Sequence, residues 1–94
     1  MANNLFVSYD LGDWDSTYEK VAAELEKLGT YAEVHSTLWY VHADLSAQQL
    51  SEKIWAVMDK EKDALLVVDA SSNTAHWQNI AQEVADYFQS EWSS

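Results

Sequence analysis

Residues Leu5 to Asp10 read Leu-Phe-Val-Ser-Tyr-Asp, and the predicted fold is built around this stretch. Five mostly apolar residues, rich in β-branched and aromatic types, lead into a carboxylate, after which the pattern breaks. Such a run is typical of a buried central strand. We therefore expect a central strand that delivers Asp10 to the edge of the sheet, as the first candidate for a functional side chain.

Two of the three predicted helices begin with a serine start signal. Ser16-Thr17-Tyr18-Glu19 reads as a capping box, in which the serine and glutamate side chains bond to each other's backbone N–H. Apolar residues at helical spacing follow and end at Leu28, with Gly29 as a left-handed C-terminal cap. Ser46-Ala47-Gln48-Gln49 is a second capping box, and its helix should run to about Lys60.

The segment Thr30–Ala43 is rich in β-forming residues but long for a single strand. The polar pair His35-Ser36 in its middle predicts two strands joined by a tight turn or sharp bend. Asp63–Asp69 is a further continuous apolar strand. After a loop, a third helix is predicted from near Ala75 to about Trp92.

The order β-α-β-β-α-β predicts an α+β fold of the ferredoxin-like type, an antiparallel sheet with two helices on one face and an extra C-terminal helix. We expect one domain, residues 1–94, with a core at about 4–70 and the C-terminal helix at about 75–92. Strands that are apolar on both sides leave one sheet face uncovered, unless the last helix or a second subunit covers it. A homodimer is the economical solution.

The predicted contact with a second copy or another partner draws on the aromatic-rich strands, because tryptophan and tyrosine are favoured at protein interfaces. Its expected residues are Tyr9, Trp39, Tyr40 and Val41.

The chain carries 16 acidic residues against five lysines, and it has no arginine, so its net charge is −11. This charge disfavours direct nucleic-acid binding, because it repels phosphates. It suits either an ordinary acidic domain or a surface that meets a basic protein partner. Without cysteine, a signal-like N-terminus or a long apolar run, we expect a soluble cytoplasmic protein that does not enter the membrane.

Three stretches resemble the small CRISPR adaptation endonuclease family (the integrase-associated subunit) and the related VapD ribonucleases. They are Leu5–Leu11 with its Tyr-Asp ending, the helix end Leu28-Gly29, and Val34–Trp39, which is similar to the family's Val-Gln-x-Ser-Val-Phe hairpin. The chain is more similar still to short bacterial and phage proteins labelled SinR-like, over about residues 4–70. The resemblance implies a homodimer in which the two Asp10 side chains lie near the two-fold axis and share a divalent metal, Mg²⁺ or Mn²⁺.

The chain also departs from the family pattern. Basic residues that hold nucleic acid are missing, His35 stands at the glutamine of the hairpin motif, and a helix is predicted where the family commonly has a further strand against the partner subunit. Three functions stay open. They are a non-catalytic interaction module on a nuclease-like scaffold, a metal-dependent endonuclease for RNA or DNA that uses Asp10, and an acidic inhibitor that mimics nucleic acid and binds a basic protein.

The remaining candidate residues each have two interpretations. His35 is either a polar turn residue or a general base. Asp10, Asp13 and Asp15 form a D-x-x-D-x-D pattern that suggests a cation site, but its spacing fits no EF-hand and acids are also expected at a helix start. Asp69 ends a strand that should run antiparallel to the first, so it should lie at the opposite end of the sheet from Asp10.

Overall fold

The computed structural model describes residues 2–92, which form one antiparallel sheet and three helices. The strands are β1 (Asn3–Asp10), β2 (Thr30–His35), β3 (Leu38–Ala43), β4 (Ala64–Asp69) and β5 (Thr74–Gln78). The helices are α1 (Trp14–Lys27), α2 (Ala47–Trp55) and α3 (Gln82–Glu91). Within residues 2–92, no helix is both long enough and apolar enough to cross a membrane.

The strand order in the sheet is β2-β3-β1-β4-β5, so the predicted central position of β1 is confirmed. Asp10 lies opposite Ala64 of β4, whereas Asp69 lies opposite Leu5. The two aspartates therefore sit at opposite ends of the paired strands, as predicted. The predicted split of the segment Thr30–Ala43 is also confirmed, because residues 36–37 connect β2 to β3.

The core lies on one face of the sheet, beneath α1 and α2. Alternation along β1 places every second side chain on this face, because successive residues of a strand point to opposite sides. Full burial of such a side chain stabilises the fold by about 1.5–3 kcal/mol. The largest core residues contributed by β1, α1 and α2 are Leu5, Val7, Tyr9, Val21, Leu25, Leu50 and Ile54.

Helix α3 lies on the opposite face of the sheet from α1 and α2. Its Phe88 packs edge-on against Trp77 of β5, with 5.2 Å between the ring centroids. Just after the helix, Trp92 Nε1 donates a hydrogen bond of 2.8 Å to the carbonyl oxygen of Asn73. Because Trp77 lies opposite Leu66, α3 covers the β4–β5 half of this second face and leaves the β1–β3 half open.

The predicted helix from Ala75 is wrong over its first part, because residues 74–78 form β5 and α3 begins only at Gln82. β5 pairs with the outer edge of β4 and so provides hydrogen-bond partners for its backbone. In the connecting loop, the Asp69 carboxylate accepts hydrogen bonds from the backbone N–H of Ser71 and Ser72. Asn73 completes the turn with a φ of 57°, a left-handed conformation that asparagine tolerates.

Two predicted features of α1 are also wrong. The helix begins at Trp14 with Asp13 as its N-cap residue, and the Ser16 hydroxyl contacts the Asp13 carbonyl oxygen at 3.4 Å instead of forming a capping box. Gly29 has no positive φ. A glycine is needed there because a Cβ atom would collide with the carbonyl oxygen of His42 on β3.

The capping box of α2 is confirmed. Ser46 Oγ accepts a hydrogen bond from the Gln49 N–H at 3.1 Å, and Gln49 Oε1 accepts one from the Ser46 N–H at 2.9 Å. The helix ends at Trp55, however, and not near Lys60. A turn follows, in which the Asp59 carboxylate accepts the backbone N–H of Glu61 and of Lys62.

Candidate functional site

Asp10 is exposed at the C-terminal end of β1, on the face of the sheet that carries α3. Beside it lies a hollow of about 270 Å³ between the sheet and α3. Apart from Ser8 and Asp10, the side chains that surround the hollow are mainly apolar, and they include Ala64, Leu66, Ile80, Val84 and Phe88. The carboxylate therefore stands at the rim of an apolar hollow and not within a group of polar side chains.

The loop after Asp10 is fixed by Asp63, a fully buried residue that immediately precedes β4. One carboxylate oxygen of Asp63 accepts a hydrogen bond from the Gly12 N–H at 2.8 Å, and the other accepts one from the Asp59 N–H at 2.7 Å. Its backbone carbonyl oxygen accepts the Asn79 side-chain amide at 2.8 Å. Sequence reasoning took Asp63 only as the start of a strand and so missed that it joins three loops at the Asp10 end of the sheet.

Within residues 2–92, no three histidine, aspartate or glutamate side chains come together in a group that could hold a metal ion. Asp15 lies in the first turn of α1 and Asp13 is its N-cap, in agreement with the helix-start interpretation of these acids. His35 is exposed at the same end of the sheet as Asp10, but β3 lies between their strands. At the usual strand spacing, β1 and β2 are about 10 Å apart.

The exposed position of Asp10 at a strand end determines how it could bind a divalent cation. Mg²⁺ accepts one or two carboxylates together with several water molecules and substrate phosphates. One exposed carboxylate fits that preference, and a second copy that brought its own Asp10 to the same place would supply two.

Three of the four residues predicted for an interface lie in the core. Tyr9 is 4 % exposed and Trp39 2 %, and Val41 is fully buried beneath the helices. Tyr40 alone of the four is on the second face, where its ring lies 5.5 Å from that of Phe6 and its hydroxyl donates to Asn4 Oδ1. The alternation along β3 explains the difference, because Trp39 and Val41 point to the face that α1 covers.

The Tyr9 hydroxyl joins the core to the β2–β3 turn. It accepts a hydrogen bond of 2.8 Å from Trp39 Nε1 and donates one of 2.6 Å to the carbonyl oxygen of Ser36. Burial raises the pKa of Tyr9 to about 12, because it disfavours the charged phenolate. The Tyr9 hydroxyl is therefore a structural anchor for the turn.

The half of the second face that α3 does not cover is called the open face below. Its apolar side chains are Phe6, Leu38 and Tyr40. Phe6 is 37 % exposed, and α3 adds Tyr87, which is 64 % exposed. A hollow of about 550 Å³ along α3 is lined by Val84, Tyr87, Phe88 and Trp92, together with the polar residues Asn73, Glu83 and Glu91. This side of the molecule therefore presents both strand and helix apolar residues to its surroundings.

A second feature, called the acidic groove below, lies between α1 and the β2–β3 hairpin. It has a volume of about 330 Å³ and is lined by Tyr18, Glu19, Ala22, Ala23, Glu26, Glu33 and Trp39. The Tyr18 hydroxyl donates a hydrogen bond of 2.8 Å to Glu33 Oε2. This bond raises the pKa of Tyr18, and partial burial and the negative charge of the groove glutamates raise it further. Sequence reasoning treated Glu19 and Glu26 as an outward helix face and did not connect them with the hairpin.

No protein-family model and no curated protein sequence matches this chain. The resemblance to the CRISPR adaptation endonuclease family therefore stays a prediction.

Proposed function

We propose that this chain is a small acidic homodimeric interaction module that binds a basic protein partner without catalysis. We assign it to a ferredoxin-like sheet, similar to the scaffold of the CRISPR adaptation endonucleases. The order β2-β3-β1-β4, with α1 and α2 on one face, supports that assignment, and β5 is then an addition at the β4 edge. The observation that carries the proposal is the half-covered second face of the sheet.

The open face supports a homodimer, because burial of its exposed aromatic and aliphatic side chains away from water lowers the free energy. A stable interface of standard size buries about 800 Å² on each partner. Two copies that each carry a charge of −11 repel one another, so their contact must be dominated by apolar residues. Added salt screens this repulsion and should therefore strengthen the dimer.

The basic partner is supported by the charge itself. An excess of 11 negative charges on 94 residues attracts a positively charged surface and accelerates its association. If the partner is a nucleic-acid-binding enzyme, occupation of its basic surface by this chain would make the chain an acidic inhibitor.

The dimer is tested by measuring molar mass with light scattering after size-exclusion chromatography, over a range of protein and salt concentrations. The wild type should approach twice the 10.7 kDa of one chain. A Phe6→Gln/Tyr87→Gln variant should be monomeric, whereas Tyr31→Gln, an exposed aromatic on the other face, should remain dimeric. A wild-type mass of one chain at all concentrations would contradict the homodimer.

The exposure of Asp10 at a strand end favours a second candidate, metal-dependent endonuclease action. Purified protein would be incubated with RNA and with DNA in the presence of Mg²⁺ or Mn²⁺. The control is Asp13→Ala, which removes a neighbouring exposed carboxylate of the same loop. Cleavage that is lost in Asp10→Ala and kept in Asp13→Ala would replace the interaction module by a nuclease. We expect no cleavage that depends on Asp10.

A further inference from the structure

The aromatic wall of the acidic groove is held in place by ring stacking. Tyr18 stacks on Trp14 with 4.6 Å between centroids and 15° between ring planes. Trp39 is fixed from below by its bond to Tyr9 and packs against Tyr31 at 5.6 Å. The α1 side of the groove is formed in part by Ala22 and Ala23, whose short side chains leave room for a bound side chain.

The three glutamates of the groove, Glu19, Glu26 and Glu33, come from separate places in the chain but face the same space. Among residues 2–92, none of these three carboxylates forms an ion pair; the nearby Lys27 pairs with Glu24 instead. Carboxylates beside aromatic rings form an environment for a cation, through charge-assisted hydrogen bonds and cation–π attraction. Arginine suits it better than lysine, because the planar guanidinium offers a donor fork and also stacks on aromatic faces.

An unpartnered sheet edge runs beside the groove. β2 is the terminal strand of the sheet, pairs with β3 alone, and is exposed at all six residues. An edge strand presents N–H and C=O groups that an additional strand can pair with. Tyr31 and Glu33 lie opposite the core residues Val41 and Trp39, so they are on the same face as the groove. A strand added to β2 would direct alternate side chains toward that face.

We propose that the edge of β2 and the acidic groove together bind an extended, arginine-bearing segment of a basic partner protein. The segment pairs with the β2 backbone, and one arginine side chain enters the groove between the glutamates and against the Tyr18 ring. This proposal deepens the proposed function and rests on its basic partner, but it does not depend on the homodimer.

The probe is a synthetic ten-residue peptide of alternating threonine and arginine, titrated into full-length protein by calorimetry at about 50 mM and about 500 mM NaCl. The groove variant is Glu26→Gln/Glu33→Gln. The matched control is Glu61→Gln/Glu91→Gln, which makes the same change in net charge at exposed positions outside the groove. We expect the groove variant to bind about tenfold more weakly than wild type and the control less than about threefold more weakly.

Two further peptides test the mode of binding. A peptide with glutamine in place of arginine should lose most of the affinity, because it cannot supply the cation. A peptide in which proline replaces every second threonine should also bind more weakly, because proline lacks the N–H that a paired strand donates. Equal binding of the proline peptide would overturn strand addition at β2.

The possible negative results distinguish the groove, the basic partner and the homodimer from one another. Equal loss of affinity in the groove and control variants would overturn the groove and leave a general attraction between the acidic chain and basic proteins. No binding of the arginine peptide to wild type at low salt would overturn both the groove and the basic partner. The homodimer is judged separately by molar mass. Circular dichroism of each variant should match that of the wild type, because only exposed carboxylates are changed.

Discussion

Replacement of Tyr9 by phenylalanine should destabilise the protein substantially, although it removes a single oxygen atom. The hydroxyl accepts the Trp39 indole N–H and donates to the Ser36 carbonyl oxygen. In the variant the indole N–H would remain in the core without a partner, since Trp39 is nearly inaccessible to water. The β2–β3 turn would also lose its side-chain bond to β1 and would keep only the backbone bond from the Tyr9 N–H to the Thr37 carbonyl oxygen.

The magnitude follows from these two bonds. A buried donor without a partner costs about 1–3 kcal/mol, and loss of the bond to Ser36 costs about 1 kcal/mol. The sum is a free energy of unfolding lower by about 2–4 kcal/mol. At about 0.05–0.15 kcal/mol per residue, a chain of this length has about 5–14 kcal/mol in total. The substitution should therefore remove a large fraction of the stability.

Urea unfolding, followed in parallel by circular dichroism and tryptophan fluorescence, measures this change. With a denaturant dependence of about 2 kcal/mol per M, the midpoint should fall by about 1–2 M. The matched control is Tyr40→Phe, whose hydroxyl bonds to Asn4 on the open side of the sheet. That control should lose less than about 1 kcal/mol. If Tyr9→Phe unfolds at the wild-type midpoint, the hydrogen bonds of Tyr9 do not stabilise the hairpin.

The same residue predicts an alkaline limit to stability. The pKa of Tyr9 is about 12 in the folded protein and 10.0 ordinarily, so the unfolded chain releases its proton first. Its contribution is fully present below pH 10 and is lost as the pH rises through 12, a change of about 2–3 kcal/mol. Tyr9→Phe should flatten this part of the stability profile. Tyr18→Phe, measured beside it, accounts for the other tyrosine whose pKa is raised. Identical profiles for wild type and Tyr9→Phe would refute the reasoning.

Three further substitutions, one of them with a matched control, test the elements around the candidate sites. Asp63→Asn replaces one of two acceptor oxygens by a donor, so the free energy of unfolding measured in urea should fall by about 1–3 kcal/mol. An unchanged midpoint would show that the Asp63 carboxylate does not hold the loops together. Ser46→Ala removes the confirmed N-cap of α2 and should cost about 1 kcal/mol in the same measurement, whereas Ser16→Ala should be nearly neutral because its capping box is not formed. Trp92→Phe removes the bond to Asn73, so amide hydrogen exchange should accelerate in α3 and stay unchanged in α1. Equal acceleration in both helices would show that α3 does not open independently of the rest of the fold.

Much of the sheet could be predicted because its strands have strong local patterns. Leu5–Asp10 is continuous and apolar, and its neighbours carry the alternation that defines their faces. β5 was missed because Thr74–Gln78 is short and its Trp77 also fits a helical stripe with Phe88. The two rings do meet, but from a strand and a helix. Only the free edge of β4, a tertiary feature, distinguishes the alternatives.

The candidate site was less accessible to sequence reasoning. The position of Asp10 at an exposed strand end was predicted, because a carboxylate after an apolar run marks where the strand leaves the core. The acidic groove was missed because Glu33 belongs to the hairpin while Glu19 and Glu26 belong to α1. Their seven-residue spacing on one side of the helix was the available signal. Asp63 was missed because full burial of an aspartate is rare and depends on donors distant in sequence.

The position of β1 in the middle of the sheet has a consequence for how the chain comes together. β1 precedes both of its sheet neighbours along the chain, and they follow only at Leu38–Ala43 and Ala64–Asp69. Until β4 has been synthesised, the backbone N–H and C=O groups on one edge of β1 have no strand to pair with. Assembly must therefore wait for long-range pairing, which slows folding. A chain that ends after Ala43 should therefore not fold stably and should be prone to aggregation, because β1 lacks its β4 neighbour.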